Sequence, residues 1–400
     1  MSWLGIVGAI FVILASIMLH EAGHFLTAKH YGMKATRFFL GFGPTLWSFR
    51  RGETEYGVKA IPAGGFVKIV GMTELEELEP GDENRAFYRQ PARQRVVVLS
   101  AGSAVHLLIA LILTYLVVVF VGDLTSPRAQ VFVSDTPACI MLDPQHEKSC
   151  APTDPRSPSQ GLLQHGDRLL SVNGTAITTD AKLRNALHAG VPVHLVVLRN
   201  HQRVTVDVTP IEVTETTNGV ATKSAKIGVI LSDKPDPPSV SALNAVPKTF
   251  STMGEFFTES VKGLGRIPHT LGDVLSGKQR SVNDVGTVIA ATRYSGEIAG
   301  ATTASVGVRL GEFLLLMAGL NFFIGVFNML PLLPLDGGHV GILLYEQARS
   351  RIYRLIGRMD PGRVDLNKVM PVTYAVFVAI VAMSAILLYA DIFRPIKLNG

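Results

Sequence analysis

The chain of 400 residues is 48% hydrophobic and only 17% charged, with a mean hydropathy of +0.31. That balance excludes a disordered or heavily solvated chain and points to an integral membrane protein. A net charge of +5, with no long lysine or arginine block, makes no case for nucleic-acid binding; basic residues here are better explained by membrane orientation.

A bilayer span needs about 20 apolar residues, and four stretches qualify: 3–28, 96–122, 313 to about 335, and 372 to about 393. The first lacks a basic leader, and cleavage near its end would cut into the motif described next, so it reads as a retained helix and not a signal peptide. Near its end stands His20-Glu21-Ala22-Gly23-His24. Positions four apart share one helix face, so both imidazoles can grip one zinc ion while Glu21 reaches the water that the ion activates. A pentapeptide of this kind on a soluble helix can equally be a solvated polar face. Inside an apolar span, ionisable groups are costly and functional by default, which favours the metal reading.

Residues 29–95 carry Lys29, Lys34 and Arg37 at one end and Arg89, Arg93 and Arg95 at the other. By the positive-inside rule this segment is cytoplasmic. Within it, Gly41-Phe42-Gly43-Pro44 precedes an expected β-hairpin, 55–61 turning through 62–65 into 66–70. Such a hairpin can dip toward a site in the membrane and offer an edge strand to an unwound substrate, or be an ordinary cytoplasmic hairpin. The span 96–122 contains one polar oddity, His106, read as a packed and hydrogen-bonded histidine, not a ligand. The cysteines, Cys139 and Cys150, are too few for a zinc site of their own; a disulfide closing a short loop and two unpaired surface thiols are both open readings.

Residues 126–212 form a soluble domain with strands at 193–198 and 204–208 and a helix near 181–189. Its run Gly161-Leu162-Leu163-Gln164-His165-Gly166-Asp167 leading to Val172-Asn173-Gly174 resembles the PDZ signature; PDZ domains bind peptides by strand addition, although a steric gate would read the same. Residues 213–312 are expected to hold a linker and amphipathic helices on the membrane surface. Segment 313–338 ends in Asn328-Met329-Leu330-Pro331-Leu332-Leu333-Pro334-Leu335-Asp336-Gly337-Gly338. Its prolines and glycines break the helix, and Asp336, at the cytoplasmic side like His20 and His24, is the candidate third ligand. His339 reads as an outer neighbour of the site or a solvated loop end. Residues 339–371, with Arg349, Arg351, Arg354, Arg358, Arg363 and Lys368, read as a second cytoplasmic loop, and 372–393 as the fourth helix.

Together, His20 through His24 and Asn328 through Gly338 resemble the site-2 protease family of intramembrane zinc metalloproteases. The single PDZ-like domain and the Gly-Phe-Gly hairpin are similar to its bacterial regulator-of-sigma-E branch. The resemblance implies zinc on His20, His24 and Asp336, Glu21 as general base and acid, and Asn328 as a substrate-holding residue. It implies a polytopic α-helical protein of the bacterial cytoplasmic membrane with its PDZ domain outside, cleaving single-pass membrane proteins such as clipped anti-sigma factors or signal-peptide remnants. One PDZ domain, where some relatives carry two, puts a two-domain size gate in doubt. A non-catalytic PDZ scaffold, a metal transporter and a membrane-anchored soluble zinc protease are the competing readings.

Overall fold

The computed structural model describes residues 2–72, 76, 78–125, 128–142, 150–200, 202–217, 220–278, 280, 284–301, 304–364 and 366–395. They divide into two compact units: residues 1–120, 241–300 and 310–400, and residues 121–240 with 301–309.

The first unit is mainly helical. Four helices are long and apolar enough to cross a membrane: α1 (Trp3–His30), α2 (Ala92–Phe120), α6 (Val306–Asn328) and, from Lys368 onward, α8 (Leu366–Phe393). A helix that is apolar on every side has no face fit for water, and the lipid-length runs of Leu, Val, Ile and Phe make all four such helices. Ala9 and Ile13 of α1 and Met317 of α6 form a buried knot between them. A second core joins Ala28 and Met33 to Val98 and Leu99 of α2 and to Val340 and Leu343 of α7 (Asp336–Leu355). The remaining helices are α4 (Ala242–Leu275), with Pro247 and Pro268 inside it, and α5 (Val288–Gly300), which packs on α1.

Three expectations need correction. The expected span of 313–335 begins earlier and stops at Asn328, because Pro331 and Pro334 cannot continue the hydrogen-bond ladder; Asp336 opens α7 instead. The hairpin pairing differs too. Strands β1 (Ala35–Arg51) and β2 (Thr54–Ile69) pair antiparallel, with register shifts, and are closed by a tight turn at Gly52-Glu53. Phe38 faces both Val67 and Tyr56, so residues 37–40 sit between 55–58 and 65–68, which were expected to be neighbours. The cause is Gly41 and Gly43, whose φ of +86° and +83° fold β1 back on itself. Gly41 is needed there, since a Cβ would fall 2.6 Å from the Ile61 carbonyl oxygen.

The third correction concerns 214–238, read as the end of the soluble domain plus a linker: the linker part is strand. Its Val- and Thr-rich alternation forms β8 (Ile211–Thr217) and β9 (Val220–Lys226), a hairpin, and β10 (Ile230–Asp236). In the second unit β10 joins β3 (Arg128–Asp135), β4 (Arg168–Val172), β6 (Val193–Arg199) and β7 (Gln202–Val208) in the order β10-β3-β4-β6-β7, with β5 (Thr175–Ala176) on β4. Asn173 and Gly174, both at positive φ, make the tight turn between β4 and β5. The helix α3 (Asp180–Ala186) is capped by Thr179. Buried Asp167 takes a two-pronged bond from Arg199, Nε to Oδ1 at 2.8 Å and Nη2 to Oδ2 at 2.6 Å. Cys139 and Cys150 are joined in a disulfide.

Candidate metal centre

The motif on α1 turns both imidazoles to one side, as the i, i+4 spacing requires. Their Nε2 atoms stand 3.1 Å apart. Asp336 Oδ2 lies 3.4 Å from each. His20 and His24 are buried and Asp336 is half-buried. The structure thus brings His20, His24 and Asp336 into one cluster from two separate segments.

Local sequence aims Asp336. After α6 the chain makes short turns, Met329 N–H to Val326 and Leu330 N–H to Phe327, then Leu335 N–H to Leu332. The new helix α7 is tucked against that connection. A Cβ on Gly337 would lie 2.3 Å from Met329 backbone atoms, and one on Gly338 2.6 Å from Leu333 N. Two consecutive glycines are what let Asp336 start a helix there. Its carboxylate at the first turn also sits at the positive end of the helix dipole.

The three donor atoms fit a cation. His24 Nδ1 donates to the Val98 carbonyl at 2.7 Å, so its Nε2 in the neutral ring carries a lone pair. That lone pair, the His20 Nε2 and a carboxylate oxygen converge, and Asp336 Oδ2 is buried with no hydrogen bond among the described residues. Converging acceptors repel one another unless a cation lies between them. For bonds of about 2.0–2.1 Å, tetrahedral zinc needs ligand atoms about 3.3–3.4 Å apart, close to the 3.1 and 3.4 Å separations here. A second group, His269, Asp273 and Asp284, is different in kind: exposed His269 and Lys278 already pair with Asp273.

Residues 8–358 match peptidase family M50. The chain belongs to peptidase family M50. This M50 peptidase is 34% identical over 409 residues to the zinc metalloprotease Rip1 of Mycobacterium tuberculosis, covering 98% of each chain. To Rip1 of Mycolicibacterium smegmatis it is 34% identical over 408 residues, covering 99% of this chain and 98% of the relative. The protein is therefore a zinc metalloprotease, and its four apolar helices fit a multi-pass membrane protein.

Around the cluster, Glu21 follows His20 on α1 and is half-buried. A Cβ on Gly65 would lie 3.1 Å from Glu21 Cγ, so the outer edge of β2 passes directly beside the carboxylate. Asn328 closes α6, half-buried, with no side-chain hydrogen-bond partner among the described residues. His339 lies one turn beyond Asp336 on α7, half-buried. The span at 96–122 was expected, but sequence reasoning assigned α2 no part in the centre. Its Val98 carbonyl anchors His24. Its Gly102 faces both rings, and a Cβ there would fall 2.4 Å from His24 Nε2 and 2.6 Å from His20 Nε2. A glycine that near the middle of an apolar span was the available signal.

Beyond the four apolar helices, Glu53 in the turn between β1 and β2 bonds Arg85 through both guanidinium Nη atoms at 2.7 and 2.8 Å, and accepts from Lys29 at the end of α1. Arg85 and Lys29 hold its carboxyl down to about 2. This ties the sheet to the helix that carries the motif.

Proposed function

We propose that the chain hydrolyses peptide bonds within transmembrane segments of single-pass membrane proteins, with His20, His24 and Asp336 holding zinc and Glu21 as general base and acid. The convergence of three acceptor atoms at tetrahedral spacing beside Glu21 carries this reading. Zinc held there supplies a Lewis acid and a water that ionises near neutral pH. Glu21 takes the proton from the attacking water and returns it to the leaving amine nitrogen, so the C–N bond breaks without releasing a strong base.

A helical substrate hides its peptide bonds in its own hydrogen bonds, so it must unwind first. The β2 edge at 65–69, alongside Glu21, suits pairing with an unwound strand. Phe42, Leu46, Trp47, Phe49 and Ile61 on the same sheet are exposed, which supports a sheet that dips into the bilayer. Asn328, at the end of α6, is the proposed substrate-holding residue. The basic residues of 29–95 and 339–371 support a cytoplasmic membrane location in a bacterium with both loops inside. The second unit, read as an extracytoplasmic PDZ domain, has a groove of about 660 Å³ lined by Leu183 and Leu187 of the α3 side and by 227–231. That shape supports docking of an extended peptide, and clipped anti-sigma factors or signal-peptide remnants are the proposed substrate class. The test is Glu21→Gln in detergent-purified protein with a model transmembrane substrate: zinc content should persist while cleavage falls by at least 1,000-fold, about 4 kcal/mol. Undiminished cleavage would remove Glu21 from the mechanism.

A further inference from the structure

The two proposed imidazole ligands are held differently. His24 is oriented by its 2.7 Å bond to the Val98 carbonyl. His20 Nδ1 is buried and has no hydrogen-bond partner among the described residues. A metal-bound imidazole that lacks such an anchor swings about its Cβ–Cγ bond unless packing stops it.

What packs on His20 is the ring of His106, 5.0 Å centroid to centroid and tilted by 43°. His106 is 1% exposed, and a buried imidazole on a lipid-length helix is costly to keep without a purpose. Its own orientation is fixed from α6. Asn321 Nδ2 donates to the Met317 carbonyl at 2.9 Å, which leaves Asn321 Oδ1 as the acceptor facing His106 Nδ1 at 2.8 Å. Gly325, one turn along α6, allows the approach: a Cβ there would lie 3.1 Å from His106 Cβ. On α2, Val98, Gly102 and His106 are four residues apart and so share one face. The first anchors His24, the second leaves room for both rings, and the third lies against His20.

We infer that His106, braced by Asn321, is a positioning residue for the zinc ligand His20, doing by ring packing what the Val98 carbonyl does for His24 by hydrogen bonding. This rests on the ligand set proposed above. Residues that orient a metal-bound histidine change metal affinity about 10- to 100-fold when removed, and that is the size expected here.

The experiment measures zinc affinity of the full chain in detergent by chelator competition, with the visible absorption of the cobalt-substituted protein as a geometric readout. His106→Ala should weaken zinc 10- to 100-fold and shift the cobalt bands. His106→Phe, which restores a ring, should recover affinity to within about threefold of the parent. Asn321→Leu, which leaves the ring but removes its brace, should weaken zinc in the same direction as His106→Ala. A purely structural role would lower the melting temperature of zinc-free and zinc-loaded protein equally; a positioning role shrinks the gap between them. Parent-like zinc affinity and cobalt bands in His106→Ala would overturn the inference. Should that variant not fold, parent-like values in Asn321→Leu would overturn it instead. Asp336→Ala is the separate arm: if it keeps parent zinc affinity, the ligand set itself fails, whatever His106 does.

Discussion

Gly102→Ala puts the packing of α2 on the metal centre to a direct test. The added methyl would lie 2.4 Å from His24 Nε2, 2.5 Å from His20 Cε1 and 2.6 Å from His20 Nε2. Unstrained contacts of this kind need about 3.5 Å, so each ring or the helix must give way by about 1 Å. Metal sites tolerate ligand displacements of about 0.2 Å. His24 cannot retreat without losing its bond to Val98, and His20 would retreat into His106. Two of three donors are thus displaced, and the expected loss of zinc affinity is at least 100-fold, about 2.7 kcal/mol. The assay is zinc content per chain by elemental analysis after equilibration with graded chelator. Gly5→Ala is the control. A Cβ there would meet the Ser295 carbonyl oxygen of α5, so α1, the helix that carries both histidines, is also tightly packed at that point, about 22 Å along α1 from His20. It should lower thermal stability and leave zinc affinity unchanged. Parent-like zinc retention by Gly102→Ala, or equal zinc loss in both variants, would refute the packing argument.

Two further perturbations test the parts that surround the centre. Glu53→Gln removes the carboxylate shared by Arg85 and Lys29. Because Glu53 is held at about 2 in the folded chain, below its ordinary 4.5 when unfolded, its stabilisation is complete above about pH 5 and fades as pH falls toward 2. The melting temperature of the variant should therefore lie below the parent at pH 7 and approach it at pH 3; a gap that widens on acidification would contradict the sign. Replacing Cys139 and Cys150 together by Ser opens a loop with a sequence separation of 11. The chain-entropy estimate for such a loop is about 3 kcal/mol, read as faster pulse proteolysis of the second unit, and unchanged proteolysis would show that the loop is held by other contacts.

How much of this was legible in the residues depends on the range of the interaction. The span α1 and its His-Glu pair follow from local periodicity, because apolar length and an i, i+4 spacing are properties of one helix. Asp336 was legible too, since one carboxylate amid Pro331, Pro334, Gly337 and Gly338 is conspicuous in an apolar segment. The hairpin was misread because strand runs reveal alternation but not partners. Pairing depended on Gly41 and Gly43 folding β1 into place between two arms of β2. Likewise part of the Thr-rich 214–238 looked like linker because its strands gain their stability from cross-strand neighbours, with β10 completing a sheet begun a hundred residues earlier at β3.

The amino-acid sequence by itself pointed to the class of chemistry: two imidazoles and a carboxylate on an apolar helix, with a second carboxylate, Asp336, after a broken one. Only the tertiary structure decided that α2, which carries no ligand, shapes the centre through Val98, Gly102 and His106. It also decided that a sheet edge passes Glu21. The physical reason is that ligand identity is written in single side chains, whereas the room left for a metal and the orientation of its ligands arise from the distance between separate helices.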